Sequence, residues 1–318
     1  MKALRMSSSG VAVEDVAKPE INDEALVRVL KSGICNTDLE IARGYAGFNG
    51  TIGHEFVGVV ESSGDRPELV GKRVVGEINA GCGKCERCVA GDSRHCPSRT
   101  VLGILGRDGA HAEFLRLPSR NLVQVPDSVS DNAAVFAEPL AAAFGIGEQV
   151  EIGPETRVAV VGDGKLGLLC AMTTALRTNA IVLIGKHPEK MSIAGKRDIE
   201  TVKLGTEAAL AQSFDVVIEA SGSESGFATA LDLIKPRGKI VLKSTFHGTP
   251  KWEAARVVVD EITIVGSRCG LLAPAIDLLA SKSVNVDDLV SDEYRLDDGV
   301  AALEQAGRMG VLKIFLRP

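Results

Sequence analysis

A doubly wound parallel α/β sheet is predicted for the second half of the chain, and three observations predict it. RVAVVG (157–162) is a continuous β-branched run of strand length. GDGKLG (162–167) follows it without a gap. LGLLCAMTTAL (166–176) then has the length and composition of a helix. A lone G-x-G-x-x-G is weak evidence, but strand, glycines and helix in immediate succession are the context that gives it meaning. Further strands are expected at AIVLIG (180–185), DVVIEAS (215–221), GKIVLKS (238–244) and EITIVGS (from 261), with a shorter one at TVKL (201–204). Helical stretches separate most of them, the alternation expected of parallel strands joined by crossover helices.

The glycines assign a ligand class. Gly162 would make the turn, Gly164 would admit a pyrophosphate, and Gly167 would let helix and strand approach closely, with Lys165 and Leu166 between them. Phosphates would then rest on the unpaired N–H groups of the helix N-terminus. No Gly-Lys-Ser/Thr closes the loop, so it is not a nucleotide triphosphate loop of the Walker type.

At 318 residues the chain is long enough for two domains. Its formal charge of −6, without a dense basic block, argues against nucleic-acid binding. No apolar run approaches the roughly 20 residues that cross a bilayer, and MKALRMSSSGVAVEDV reads as a strand and turn rather than a signal peptide. A cytoplasmic protein with no membrane partner is expected. Asn49-Gly50-Thr51 is then a chance sequon.

Four of the seven cysteines fall in CGKCERCVAGDSRHC, as Cys82-x2-Cys85-x2-Cys88-x7-Cys96. Three readings compete. Disulfide frameworks suit small secreted domains, and a redox Cys-x-x-Cys uses only two of the sulfurs. A tetrathiolate zinc site uses all four, with Gly81, Gly83 and Gly91 allowing a tight wrap. Such a zinc has no vacant position and is structural, so the chemistry is to be sought elsewhere.

GICNTDLE (33–40), GHE (53–55) and AEPL (137–140) offer Cys35, His54 and Glu138: one sulfur, one nitrogen and one oxygen. Three protein ligands with a fourth position open is the arrangement of catalytic zinc. Taken singly, each has an ordinary reading. A lone Cys is most often buried filler, Thr37 is a common helix-capping type, and Glu138 before Pro139 could cap a helix.

The order G-x-C-x-T-D, G-H-E, four-cysteine lobe, E-P-L, G-x-G-x-x-G resembles the zinc-dependent medium-chain dehydrogenases of alcohols and polyols, including the threonine and sorbitol dehydrogenases, over the whole chain. GAHAEFLRLPSRNLVQVPD (109–127) is similar to the family's strand leading out of the first lobe. The resemblance implies a GroES-like, mostly β catalytic domain at 1–125 with a zinc lobe at about 81–97. A linker helix and Rossmann domain follow at 126–265, and a return segment at 266–318 includes KIFLR (313–317). It implies Cys35, His54 and Glu138 as catalytic zinc ligands, with Glu55 as an alternate. It also implies Thr37 as the acceptor of the substrate proton and Asp38 as the carboxylate that orients the imidazole. Glu40 stands where many relatives place a relay histidine, so either Glu40 or water completes that path.

The implied activity is hydride transfer between a secondary alcohol, polyol or related carbonyl compound and a nicotinamide cofactor, with two zinc ions per chain. A carboxylate as third ligand is similar to the polyol, sugar and amino-alcohol branches. Phe48 and Asn49 are expected to border the pocket. The segments 62–73 and 195–205 look short beside relatives. NAD-binding members carry an acid at the end of the second nucleotide-domain strand. This chain has Gly185-Lys186-His187 there, so NADP(H) is favoured over NAD(H), with Lys190 and Arg197 read as surface charge. An apolar edge at EITIVGS implies a homodimer or homotetramer. The alternatives are a zinc-free enoyl or quinone reductase of the same fold and a non-catalytic zinc-stabilised binding module.

Overall fold

The computed structural model describes residues 1–20, 23–44, 47–244 and 253–318. The chain divides into two units, Met1–Glu138 with Leu272–Pro318, and Pro139–Leu271. The expected boundary at 125 differs from this division for a local reason. The helix Asp131–Val135 packs on the strands Ala25–Gly33 and Glu55–Ser62, which ties 126–138 to the first unit.

The first unit is organised by the strand Ala25–Gly33. Its ALVRVLKSG reads as a mostly buried strand, and it pairs antiparallel with Glu55–Ser62, Phe114–Leu117 and Lys313–Arg317. Register shifts between Leu26 and Val27 and between Val29 and Lys31 leave Gly33 opposite Glu55. Cys35 and His54, just beyond those two strand positions, are thereby delivered to the same end of the sheet. Gly58 is obligatory in this pairing, since a Cβ there would lie 2.6 Å from the Arg28 carbonyl oxygen. The tail closes the arrangement. Phe315 pairs with Gly33, and the Ile34 amide donates to the Ile314 carbonyl at 2.9 Å. Val27, Val29, Phe56, Val60, Leu115 and Leu117 fill one core of this unit. Leu4, Ile34, Ile41, Ile52, Ile314 and Leu316 fill another, beneath the helix Asn36–Ala42. Each fully buried side chain of this size stabilises by about 1.5–3 kcal/mol relative to exposure.

In the second unit six parallel strands run in the order Glu200–Lys203, Ile181–Gly185, Val158–Val161, Phe214–Glu219, Ile234–Leu242, Thr263–Gly266. Central strands such as VAVV and IVLIG are buried at every position, as a parallel sheet covered on both faces requires. The helix Lys165–Ala175 follows the glycine turn and is buried from Gly167 to Thr174. Gly167 must lack a side chain, because its Cβ would fall 2.0 Å from the Gly162 carbonyl oxygen. Thr263–Gly266 is one of the two edge strands, with Glu200–Lys203 at the other end, and among the described residues it is paired on one side only. Among the described residues no helix is long and apolar enough to cross a membrane.

Candidate active site

Cys35, His54 and Glu55 each place one ligand atom so that all three lie within 4.8 Å of one another. Cys35 caps the helix Asn36–Ala42, and Asp38 at the third helical position accepts from the Cys35 amide at 2.7 Å through Oδ2. This side-chain-to-amide bond is one half of a capping box, and it aims the Asp38 carboxylate back toward the cluster. Asp38 Oδ1 also accepts from the Gly53 amide at 3.2 Å and lies 3.5 Å from His54 Nδ1. His111 Nε2 is 3.4 Å from Asp38 Oδ2, and His111 Nδ1 meets Ser32 Oγ at 2.8 Å. Asp38, His54, Glu55 and His111 are all buried.

The charges explain one another. Burial opposes ionisation of Asp38, yet the facing His54 and His111 imidazoles hold its carboxyl far below the ordinary range. Burial likewise opposes charge on His54, and the neighbouring Asp38 carboxylate and Cys35 sulfur overcome it, raising its pKa well above the usual imidazole value. Glu55 Oε2 pairs with the buried ammonium of Lys313, which also donates to the Ile34 carbonyl at 3.4 Å and lies 5.6 Å from the Phe136 ring. Glu55 Oε1 is buried and has no hydrogen-bond partner among the described residues. A sulfur, an imidazole and an orphaned carboxylate oxygen gathered in a largely buried corner fit a zinc ion.

The expected residues fall around this cluster in different ways. Thr37 is half-buried, its Oγ1 3.9 Å from Cys35 Sγ. Glu40 accepts from Arg43 at 2.8 Å. Glu138 is half-buried in the first turn of the helix Ala137–Phe144 and is not one of the three clustered groups. Glu55, given above as the alternate ligand, is the carboxylate that sits with Cys35 and His54. Phe48 packs against the core that includes Ile41 and Ile52, and Asn49 is exposed. Lys313, His111 and Ser32 carry no motif and were not expected. A lysine opening the apolar strand KIFLR was the one available hint.

The sulfurs of Cys82, Cys85, Cys88 and Cys96 also lie within 4.8 Å of one another. Cys85 Sγ and Cys96 Sγ are 3.7 Å apart, well beyond a disulfide bond, and the Cys82 amide donates to Cys96 Sγ at 3.4 Å. Backbone N–H groups of Lys84 and Cys85 bring the Cys82 thiol down to about 6, toward the thiolate a metal requires. Arg120 ties the lobe to the rest of its unit by donating to the Gly81 carbonyl at 2.7 Å. Four sulfurs converging around a common centre fit one tetrahedral zinc.

In the second unit Gly162 has φ +119°, a conformation that favours glycine, and the space where a Gly164 Cβ would stand is open. Gly164 caps the helix Lys165–Ala175, and the free space at Gly164 lies beside the N–H groups of the first helical turn, an arrangement suited to a pyrophosphate. Beyond Gly185, Lys186 is exposed and His187 half-buried. Lys190 departs from the surface reading: it is only 8% exposed in the helix Pro188–Gly195. Arg197 donates to the Ile193 carbonyl at 2.7 Å. The NADP(H) expectation assumed no carboxylate at this strand end, and that premise is corrected by Asp163. Its Oδ2 accepts from the Lys186 amide at 2.7 Å and the His187 amide at 2.6 Å. Asp163 sits at the second position of the glycine turn, where a sequence reading treats any residue as filler.

Two family profiles match the chain: the alcohol dehydrogenase GroES-like domain over residues 21–127, and the zinc-binding dehydrogenase over 169–281. A sorbitol dehydrogenase of Halalkalibacterium halodurans is 27% identical, covering 100% of this chain and 99% of its own length. An L-threonine 3-dehydrogenase of Rhizobium etli is 33% identical over 76% of each chain. A zinc-binding dehydrogenase of Sinorhizobium meliloti 1021, solved bound to NADP, superposes with a TM-score of 0.91 at 28% identity, covering 100% of this chain and 99% of its own. With these matches and a matching fold in both units, the chain belongs to the zinc-binding dehydrogenases with an alcohol dehydrogenase GroES-like domain, a family of nicotinamide-dependent oxidoreductases acting on alcohols and polyols.

Proposed function

We propose that this dehydrogenase interconverts a secondary alcohol, polyol or amino alcohol and its carbonyl partner, with one catalytic and one structural zinc per chain and NADP(H) as the favoured coenzyme. The observation that carries the reading is the convergence of half-buried Cys35 with buried His54 and Glu55. Cys35 and His54 would hold the catalytic ion. Glu138 is the third ligand on the family pattern, and Glu55, with Oε1 unpartnered among the described residues, is its alternate. Bound there, zinc would polarise the oxygen of an alcohol or carbonyl and lower the hydroxyl pKa. Thr37 Oγ1 takes the hydroxyl proton. Glu40 is engaged by Arg43, which supports passage of that proton onward to water. Asp38 fixes the imidazole orientation and His111 fixes Asp38, so the ligand geometry is set before substrate arrives. Cys82, Cys85, Cys88 and Cys96 hold the structural ion.

The glycine turn receives the pyrophosphate and the exposed Lys186 supports a 2′-phosphate, the group that the Sinorhizobium relative's NADP carries. Polyol and amino-alcohol substrates are supported by the sorbitol and threonine dehydrogenase relatives. A cytoplasmic homodimer or homotetramer is proposed from the edge strand Thr263–Gly266 and from Val258 and Val259, which are 76% and 79% exposed.

A spectrophotometric screen of secondary alcohols, polyols and amino alcohols with NADP⁺ and NAD⁺, together with metal analysis, tests the reading. Reduced coenzyme should form, with about two zinc per chain. Full turnover after complete removal of zinc overturns it in favour of a zinc-free reductase. A metal-loaded protein that binds no coenzyme favours a binding module.

A further inference from the structure

The strand end that selects between the two nicotinamide coenzymes carries an acid from an unexpected place. Gly185 closes the strand Ile181–Gly185, where an acid would be placed in NAD-binding members, and it contributes no side chain. A Cβ at Gly185 would lie 2.7 Å from both Cβ and Oδ2 of Asp163, so the bare backbone there is what lets Asp163 reach across from the glycine turn. Asp163 is 7% exposed. Its Oδ2 takes the amide hydrogens of Lys186 and His187, and both of its oxygens are 3.1 Å from His187 Nδ1. Burial works against its charge, but these hydrogen bonds hold the carboxyl below its ordinary range, so it is an anion at neutral pH.

Two successive amides at a strand end are an anion-binding nest, and a 2′-phosphate next to Lys186 would call on the same donors. Here they are already engaged by a carboxylate. The lysines near this strand end include Lys186, which is exposed, Lys203, which is exposed and pairs with Gly185 from the neighbouring strand, and Lys190, which is buried in the following helix; the His187 ring is engaged by Asp163. Glu189, in the same turn, is exposed and adds a second negative charge.

We propose that Asp163 is a coenzyme-selecting residue: by occupying the Lys186 and His187 amides with a fixed negative charge it opposes the 2′-phosphate of NADP(H), against the pull of Lys186. The inference rests on the nucleotide-binding reading of the second unit. Its consequence is that the preference for NADP(H) is held below about tenfold, or about 1.4 kcal/mol, so that NAD(H) is accepted as well. The ribose hydroxyls of NAD(H) carry no charge for Asp163 to repel, so only one coenzyme feels the opposition.

The test is the ratio of Kd values for NADH and NADPH, read by nucleotide fluorescence on the purified, zinc-loaded full chain. Asp163→Asn keeps an acceptor oxygen for the amides and removes the charge. It should tighten NADPH by about tenfold while NADH changes by less than about threefold. Lys186→Gln should weaken NADPH and leave NADH unchanged. If Asp163→Asn does not fold, Asp163→Ser gives the same reading with a shorter acceptor. A ratio unchanged in the Asp163 variants, or NADH and NADPH weakened equally, overturns the assignment and leaves Asp163 a brace of the turn. If wild type binds neither coenzyme, the nucleotide reading fails and the selector with it.

Discussion

The two sulfur-bearing sites of the first unit are built in opposite ways. Cys82, Cys85, Cys88 and Cys96 come from one loop of fifteen residues, and their convergence needs little beyond tight glycine turns at Gly83 and Gly91. Cys35, His54 and Glu55 come from two strand ends, and they meet only because Gly33 pairs with Glu55 and the tail strand pairs with Gly33. The loop site carries its own closure. The strand-end site depends on Asp38, His111, Ser32 and Lys313, drawn from segments as far apart as 258 positions in the case of Lys313 and Glu55. A local cluster is therefore robust to changes elsewhere and serves stability. A non-local cluster is sensitive to its supports, and that sensitivity is the cost of an exact, buried geometry.

That contrast breaks most sharply under paired cysteine substitutions. Cys35→Ser should lower turnover by about a thousandfold or more while the melting temperature moves by only a few degrees. Cys88→Ser should do the reverse, releasing one zinc and lowering the melting temperature while the remaining folded molecules keep their turnover. Activity, zinc content and thermal unfolding read together decide it. Equal losses of activity in both would show that the two sites are not separable in role.

A smaller effect tests how far the strand-end site relies on its tail. Lys313→Met leaves Glu55 buried without its cation, a change worth about 3–5 kcal/mol when one partner of a buried pair is removed. Adding Glu55→Gln should restore much of that stability without restoring activity. Denaturant unfolding of both variants measures it, and the pair is independent if the double variant is no more stable than Lys313→Met alone.

The smallest effect belongs to His111. His111→Phe removes the partner of Asp38 and Ser32, and should weaken zinc at the strand-end site by about tenfold while sparing the four-cysteine lobe. Competition with a chromophoric chelator separates the two ions. Equal weakening of both would mean that His111 supports the unit as a whole.

Legibility in the sequence followed the same divide. The glycine turn and the four-cysteine lobe were readable because each depends on spacings of a few residues, where local backbone geometry limits the outcomes. The meeting of Cys35 with His54 was expected only through the order of motifs along the chain, since nothing in GICNTDLE or GHE alone brings the two together. Lys313 in KIFLR and Asp163 in GDGKLG escaped, because a lysine in a strand and an acid in a turn are ordinary until a partner arrives. The missing carboxylate at Gly185 was a correct observation with an incomplete inference. The acid is present, supplied from 22 residues upstream by Asp163.

What the amino-acid order determined by itself was the alternation of strands and helices, the nucleotide turn and the sulfur lobe, all consequences of short-range periodicity and backbone sterics. Which carboxylate lies with Cys35 and His54, which lysine answers Glu55 and which acid guards the amides of Lys186 and His187 were decided by strand register and close approach between distant segments. The physical reason is range. Hydrogen bonding and steric preference act within a few residues of chain, whereas a buried charge takes whatever partner the folded backbone brings within a few ångströms.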